Sequence, residues 1–246
     1  MDTAIGRQVA IKAFPRMKDS RGAAQTAFLK EGRALAILNH PHIAQIYDCL
    51  EIRGVPCLVM EWVVGVPLTE IDTGTGQARI EAILRAIFSA LEEAHRCGLI
   101  HRDLKPEHIL AGEREGVKLI DFGLVKRFGT ALDSLSSTPL EEAWRGTPAY
   151  MAPEQIKGGA VDWRADQFSL AIVLSEWLFG QHPFQGANPA IFLHRIAYEE
   201  PSFASGGQRN AHPRIQSVLN RALAKRPDDR WPTLEAFRNR LFERWC

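Results

Sequence analysis

One charged string constrains this chain of 246 residues more than any other feature. Residues 101–106 read HRDLKP, and they follow a predicted amphipathic helix and precede a predicted pair of short strands. DFG follows at residues 121–123 and APE at residues 152–154. Each motif alone is a weak signal because short strings recur by chance, so the weight lies in their order and joint spacing. The hairpin between the first two motifs is expected to return Asp121 to the site of Asp103.

Hydrophobic periodicity predicts a strand-rich first part and a helical remainder. In the first part, strands are predicted at residues 8–14, 44–50 and 55–62, and a helix at 25–38. In the remainder, helices are predicted at 77–96, 168–179, 215–225 and 234–245, and short strands at 109–110 and 117–120. The pattern therefore predicts an α+β fold of two lobes, with a small β-rich lobe, a hinge near residues 61–65 and a larger helical lobe.

Composition excludes several classes of protein. The 30 basic and 29 acidic residues nearly balance, so there is no electrostatic case for a nucleic-acid partner or an anionic membrane. No apolar run is long enough to predict a transmembrane helix, and the first residues lack the apolar core of a signal peptide. The scattered cysteines form no CxxC pair and suit a reducing compartment. We therefore predict a cytoplasmic protein.

A lysine on the first predicted strand has two interpretations. Phosphate groups need a fixed cation, and Lys12, in the VAIK string at residues 9–12, lies on an element that holds it rigidly. Glu31 follows 19 residues later on the predicted helix and could pair with it. A solvated surface lysine and a solvated glutamate remain the ordinary interpretation of either residue taken alone.

Together the motifs resemble the Hanks-type (eukaryotic-like) serine/threonine protein kinases, especially their bacterial branch. The resemblance spans residues 8–246, and GTPAYMAPE at residues 146–154 completes the set in the family's order. It implies one kinase domain over residues 1–246, with a partial small lobe at 1–62 and a large lobe at 63–246. It also implies transfer of the γ-phosphoryl group of ATP to a Ser/Thr hydroxyl of a protein substrate, with Mg²⁺, or Mn²⁺, as the metal.

The resemblance implies a role for each matching residue. Asp103 orients or accepts the proton of the substrate hydroxyl, and Lys105 neutralises charge on the transferring phosphoryl group, as in serine/threonine kinases. Asp121 and His108 take the metal-binding positions. The residues implied to bind ATP are Lys12, Glu31, Glu61, Val63 and Leu110. Those with regulatory or structural roles are Arg102, Phe122, Gly123, Thr147, Glu154, Asp166 and Arg230. Among these, Glu154 is expected to pair with Arg230, and Asp166 to anchor the catalytic loop.

The chain departs from the family pattern at two places. The Gly-rich hairpin that precedes the lysine strand is absent, because only eleven residues precede Lys12 and Gly6 is their one glycine. We expect either a start codon placed too late or a protein without this lid. Without the lid, apolar surface of the small lobe would be exposed, so we also expect a missing N-terminal segment or a partner that covers it. His108 stands where the family has a metal-binding Asn, and imidazole suits zinc, manganese or nickel better than magnesium.

These departures leave three functions open. An active serine/threonine kinase is favoured because its reactive residues are all present. A pseudokinase that binds nucleotide or acts as a scaffold is the alternative that the missing lid and His108 suggest. A small-molecule phosphotransferase fits less well, because the APE segment and Thr147 match parts that form a protein-substrate groove. Arg102 suggests regulation by a phosphorylated loop residue, with hypothetical acceptors at Thr130, Ser134, Ser136, Ser137 and Thr138, although plain loop composition explains them equally well.

Overall fold

The computed structural model describes residues 6–13, 32, 35–112, 116–122, 148–203 and 213–245. The first sheet is antiparallel, with strand order β1-β3-β2 and members β1 (Val9–Ala13), β2 (Ile46–Ile52) and β3 (Val55–Glu61). Arg53 and Gly54 join β2 to β3 with φ values of 53° and 75°, the two positive angles that a tight two-residue hairpin turn requires. The predicted hairpin and lysine strand are therefore confirmed.

The predicted helix at residues 25–38 falls largely outside the described residues. Gly32 and Leu35 are helical, and the chain leaves the helix after Leu35. Leu35 and Leu38 are both buried in the core beneath the first sheet. The two leucines therefore anchor the end of this segment as the apolar pattern predicts.

A second antiparallel sheet lies at the junction with the helical part. Its order is β4-β5-β6, with β4 (Val66–Pro67), β5 (Ile109–Ala111) and β6 (Val117–Leu119). Leu119 also forms a parallel bridge with Ile43, and its amide donates to the carbonyl of His42 at 2.8 Å. The hairpin that carries the DFG motif is thus hydrogen-bonded to the segment that enters β2.

The helical part contains α1 (Gln77–Arg96), α2 (Pro153–Ile156), α3 (Arg164–Phe179), α4 (Pro189–Tyr198), α5 (Pro213–Ala222) and α6 (Leu234–Trp245). The bounds of α1 and α6 agree with the prediction, while α3 begins earlier and α5 ends earlier than predicted. Helices α2 and α4 are absent from the prediction. A local cap begins α4, because the Asn188 side chain accepts from the amide of Ile191 at 3.0 Å.

The core of the helical part is organised around α3. This helix is apolar on nearly every face and is buried on nearly every face, as the absence of a polar stripe predicts. Helix α1 packs an apolar stripe that includes Ile80, Leu84 and Leu91 into the same core. Within the described ranges, no helix is both long and apolar enough to cross a membrane.

Candidate active site

The HRDLKP string forms a loop between α1 and β5, and a buried carboxylate fixes its backbone. Asp166, at the start of α3, is fully buried and accepts the amides of His101 and Arg102, each at 2.8 Å. Hydrogen bonds to a charged acceptor are about twice as strong as neutral ones. Helix α3 therefore sets the position of this loop, which is the contact that the family resemblance implies for Asp166.

A histidine that the sequence analysis did not single out completes this anchor. His95 lies in the last turn of α1, and its Nε2 is 2.7 Å from Oδ2 of Asp166. The carboxylate thus joins α1, α3 and the catalytic loop at one point. His95 is the penultimate residue of α1, six residues ahead of His101, and nothing in its local sequence marks it as an anchor.

Two residues of the site have left-handed backbone conformations. Arg102 has a φ of 62° and Asp121 a φ of 59°. A residue with a side chain adopts this region at a cost of roughly 1–3 kcal/mol, so surrounding contacts must hold it there. For Arg102 these contacts include the hydrogen bond from its backbone amide to Asp166. They also include a hydrogen bond of 3.0 Å from Nε2 of Gln155 to the backbone carbonyl of Arg102. The strain lies at the two positions that direct Asp103 and Asp121 into the cleft.

Three polar side chains meet at the end of the catalytic loop. Nζ of Lys105 lies 3.8 Å from Oδ2 of Asp103. Nδ1 of His108 lies 2.7 Å from the carbonyl oxygen of Asp103 and 3.7 Å from its Oδ2. The hydrogen bond that His108 makes to this residue is therefore directed to the backbone carbonyl. Because a carbonyl oxygen only accepts, Nδ1 carries the hydrogen and Nε2 is available as an acceptor.

Asp121 brings the DFG segment and the lysine strand together. Its Oδ1 lies 2.9 Å from Nζ of Lys12, and its Oδ2 lies 3.6 Å from Nε2 of His108. Lys12 is the fourth of the five residues of β1, where the backbone register places it opposite Leu58 of β3. The structure therefore collects residues from the lysine strand, the catalytic loop and the DFG segment around one carboxylate.

Burial favours the neutral form of His101 and of His108. It lowers the pKa of His108 to about 4, and it also lowers the pKa of the fully buried His101. Nε2 of His101 donates to the carbonyl of Ile120 at 3.1 Å, and its ring packs 4.5 Å from that of Phe122. Phe122 is buried, so its side chain packs the DFG segment onto the catalytic loop rather than facing the cleft.

The hinge residues lie where the first sheet ends. Glu61 is the last residue of β3, and its carboxylate accepts from Nζ of Lys118 on β6 at 2.7 Å. Val63 follows in the connection to β4, and Leu110 is the central residue of β5, half-buried. Glu61 therefore connects the two sheets through its side chain.

A buried ion pair fixes the end of the APE motif, where α2 begins. Arg230 is 1% exposed, and its Nη1 and Nη2 each lie 2.8 Å from one carboxylate oxygen of Glu154. Its other donors bind the carbonyls of Ala224 and Arg164 at 2.9 and 2.8 Å. This is the pair that the family resemblance implies, and it is separate from the reactive side chains.

Several predicted positions lie outside the described residues. They are Glu31, Gly123, Thr147 and the hypothetical acceptors between residues 130 and 138. Their interactions, including a pairing of Glu31 with Lys12, therefore stay predictions.

The donor atoms of the site suit a divalent metal held jointly with a ligand. In the part of the chain that the structure describes, no group of three or more His, Cys, Asp or Glu side chains is arranged to hold a metal. Asp121 and His108 offer one carboxylate oxygen and one imidazole nitrogen on the same side. Two protein ligands suffice where phosphate oxygens supply the others, which is the usual way in which a metal is bound with a nucleotide.

Comparison with known proteins gives a consistent result. The protein kinase domain family model matches residues 1–242. PknB of Mycolicibacterium smegmatis is 34% identical over 244 residues, covering 96% of this chain and 39% of that protein. Pkn1 of Myxococcus xanthus is 33% identical over 242 residues, covering 96% and 34%. Both are named serine/threonine-protein kinases. The chain spans between 34% and 44% of the length of the curated relatives that it matches.

Solved structures agree with this assignment. The kinase domain of PknI from Mycobacterium tuberculosis has a TM-score of 0.67 and 26% identity, covering 98% of this chain and 88% of that one. Rad53 in complex with AMP-PNP has a TM-score of 0.72 and 26% identity, covering 95% and 57%. These matches confirm the two-lobed α+β fold that the pattern of strands and helices predicts. The chain belongs to the protein kinase domain family, and its similar curated relatives are bacterial serine/threonine kinases.

Proposed function

We propose that this chain is a serine/threonine protein kinase that transfers the γ-phosphoryl group of ATP to a protein hydroxyl. The observation that carries the proposal is that four charged side chains lie in one cleft. Lys12 lies 2.9 Å from Asp121, and Lys105 lies 3.8 Å from Asp103. Phosphoryl transfer requires positioned cations around the phosphates and a carboxylate at the attacking hydroxyl, and little other chemistry from the protein.

Each side chain has a proposed part in the transfer. Asp103 orients the substrate hydroxyl and takes its proton, and Lys105 stabilises negative charge on the moving phosphoryl group. Lys12 holds the nucleotide phosphates, while Glu61, Val63 and Leu110 lie where the base binds. A divalent metal, Mg²⁺ or Mn²⁺, neutralises charge on the β- and γ-phosphates when it is bound. Asp121 and His108 are the residues that hold it.

In this proposal each lobe contributes different residues to the active site. Residues 1–62 form the small lobe, which presents Lys12, and residues 63–246 form the large lobe, which carries the catalytic loop and the metal-binding side chains. The helical large lobe fixes the loop through Asp166, whose carboxylate binds two loop amides at 2.8 Å. The protein substrate is proposed to dock beside the segment that Glu154 and Arg230 hold. A cytoplasmic location agrees with use of ATP.

The direct test is phosphate transfer from radiolabelled ATP to a generic basic protein, followed by phosphoamino acid analysis. We expect phosphoserine and phosphothreonine from the wild type. Asp103→Asn is expected to lower the rate by at least about 100-fold, because removal of a general base costs this much or more. Asp229→Asn, which changes an exposed aspartate in the turn Pro227–Asp229, is the matched control and is expected to retain the wild-type rate.

The second candidate is a pseudokinase, which the replacement of the family's Asn by His108 favours. It predicts nucleotide binding with a residual signal that is equal in wild type and Asp103→Asn. Equal signals in the presence of both Mg²⁺ and Mn²⁺ would select the pseudokinase and reject the kinase.

A further inference from the structure

The orientation of His108 is specific, and it extends the proposed function on which this inference rests. The side chain is buried, with 8% exposed, at the end of the turn Pro106–His108. Its Nδ1 donates to the carbonyl of Asp103 at 2.7 Å. That bond fixes the ring and its tautomer, so the lone pair of Nε2 points away from the loop. The lone pair faces Oδ2 of Asp121 across 3.6 Å.

The carboxylate of Asp121 is held so that only one oxygen faces this nitrogen. Its Oδ1 is bound by Lys12 at 2.9 Å, which leaves Oδ2 directed at His108. A carboxylate oxygen and an imidazole lone pair are both acceptors, so a cation between them converts a repulsion into two favourable contacts. Adjacent ligands of a metal with bonds of about 2.1 Å lie roughly 3.0–3.4 Å apart. The observed 3.6 Å is close to this separation.

The chemistry of the two donors indicates which metals suit them. Mg²⁺ binds oxygen almost exclusively and releases water reluctantly. First-row transition metals accept imidazole nitrogen readily, and their affinity for such sites exceeds that of the hard ions. We propose that Nε2 of His108 and Oδ2 of Asp121 ligate one divalent ion together with nucleotide phosphates, and that this nitrogen ligand makes the site select Mn²⁺ over Mg²⁺.

A purely positioning role for His108 makes a different prediction. In that case the bond from Nδ1 to Asp103 would orient the catalytic loop, and Nε2 would have no contact with the metal. Loss of activity in a variant cannot separate the two roles, because both affect the same loop. The test must therefore detect the metal–nitrogen bond itself.

Pulsed electron paramagnetic resonance of Mn²⁺ provides that readout. The purified chain is loaded with Mn²⁺ and the β,γ-methylene analogue of ATP, which carries no nitrogen near its phosphates. We expect a nitrogen hyperfine coupling in the wild type, and its replacement by the ¹⁵N pattern when histidine is ¹⁵N-labelled. The labelling experiment uses the unaltered protein, so it does not depend on the folding of any variant.

Two variants assign the coupling to a residue. His108→Asn is expected to abolish it, while His194→Asn, which changes an exposed histidine on α4, is expected to preserve it. Calorimetric titration of each protein with the analogue and either metal gives the selectivity. We expect His108→Asn to weaken Mn²⁺ binding by at least about 10-fold and to reduce the ratio of Mn²⁺ to Mg²⁺ affinity.

The outcomes separate this inference from the proposed function. Bound Mn²⁺ and nucleotide without a nitrogen coupling would overturn the ligation by His108 and leave the kinase assignment intact. An unchanged coupling in His108→Asn would overturn it as well. If the analogue binds with neither metal, the proposed function and this inference fail together.

Discussion

Replacement of Arg230 tests how the structure stabilises the APE motif at the start of α2. Its guanidinium is 1% exposed and makes two bonds of 2.8 Å to the carboxylate of Glu154. In Arg230→Ala the carboxylate stays buried without its cation, which costs about 3–5 kcal/mol. The carbonyls of Ala224 and Arg164 also lose a donor, at roughly 1 kcal/mol each. We therefore expect a loss of about 5–7 kcal/mol, a large part of the roughly 5–15 kcal/mol that holds a protein folded.

Urea unfolding followed by tryptophan fluorescence measures this loss, and α6 offers a matched control. Arg238 binds both carboxylate oxygens of Glu92 at 2.6 and 2.7 Å, but the two side chains are 24% and 30% exposed. Water and salt screen such a pair, so Arg238→Ala is expected to lower stability by at most about 1 kcal/mol. The bond lengths of the two pairs are similar, at 2.6–2.8 Å, so the difference between the two variants mainly reflects the burial of the Arg230 pair.

A double variant tests whether the unpaired charge causes the loss. Arg230→Met combined with Glu154→Leu removes both charges and keeps apolar volume, so it is expected to be more stable than Arg230→Ala. The reasoning is refuted if Arg230→Ala costs no more than Arg238→Ala. It is also refuted if the double variant is as unstable as the single one.

Two further predictions concern the catalytic loop and the dependence of stability on pH. Asp166→Asn keeps one acceptor oxygen for the amides of His101 and Arg102, so urea unfolding should show a loss of about 2–3 kcal/mol. The kcat of phosphoryl transfer should fall, while the KM for ATP should change little. An unchanged kcat would contradict this prediction. Burial lowers the pKa of His182 from 6.5 to about 4 in the folded protein. On lowering the pH, this ring is therefore protonated in the unfolded chain before it is protonated in the folded protein. The free energy of unfolding consequently falls as the pH drops below 6.5. Urea unfolding of the wild type should show a free energy of unfolding about 2 kcal/mol lower at pH 5 than at pH 7 because of this ring, and His182→Gln should lack this contribution. Equal pH dependence of wild type and variant would contradict the prediction.

The prediction from sequence succeeded where a local pattern decides the structure. Helix α1 has the bounds that its apolar stripe and the following Gly98 indicate, and α3 is buried as its lack of a polar face requires. Arg53 and Gly54 form the turn of the predicted hairpin. In each case the residues that fix the element are its own neighbours in the chain.

Contacts between distant residues were predicted only where a motif implied them. The pairing of Glu154 with Arg230 spans 76 residues and followed from the resemblance alone. The bond of His95 to Asp166 was missed, because a histidine on a helix has no signature that distinguishes an anchor from a surface residue. The direction of the His108 bond was equally unpredictable, since spacing does not tell a carbonyl from a carboxylate of the same residue. Helix α4 was missed because the helices were predicted from apolar periodicity, whereas the start of α4 is fixed by the polar cap at Asn188.

The central proposal is that Asp103 acts in phosphoryl transfer and not in the binding of the nucleotide. Single-turnover transfer from saturating ATP to a basic protein tests it most directly, with nucleotide affinity measured on the same samples. The account predicts that Asp103→Asn binds ATP as the wild type does and loses transfer by at least about 100-fold. Equal single-turnover rates in the two proteins, at equal ATP occupancy, would contradict it.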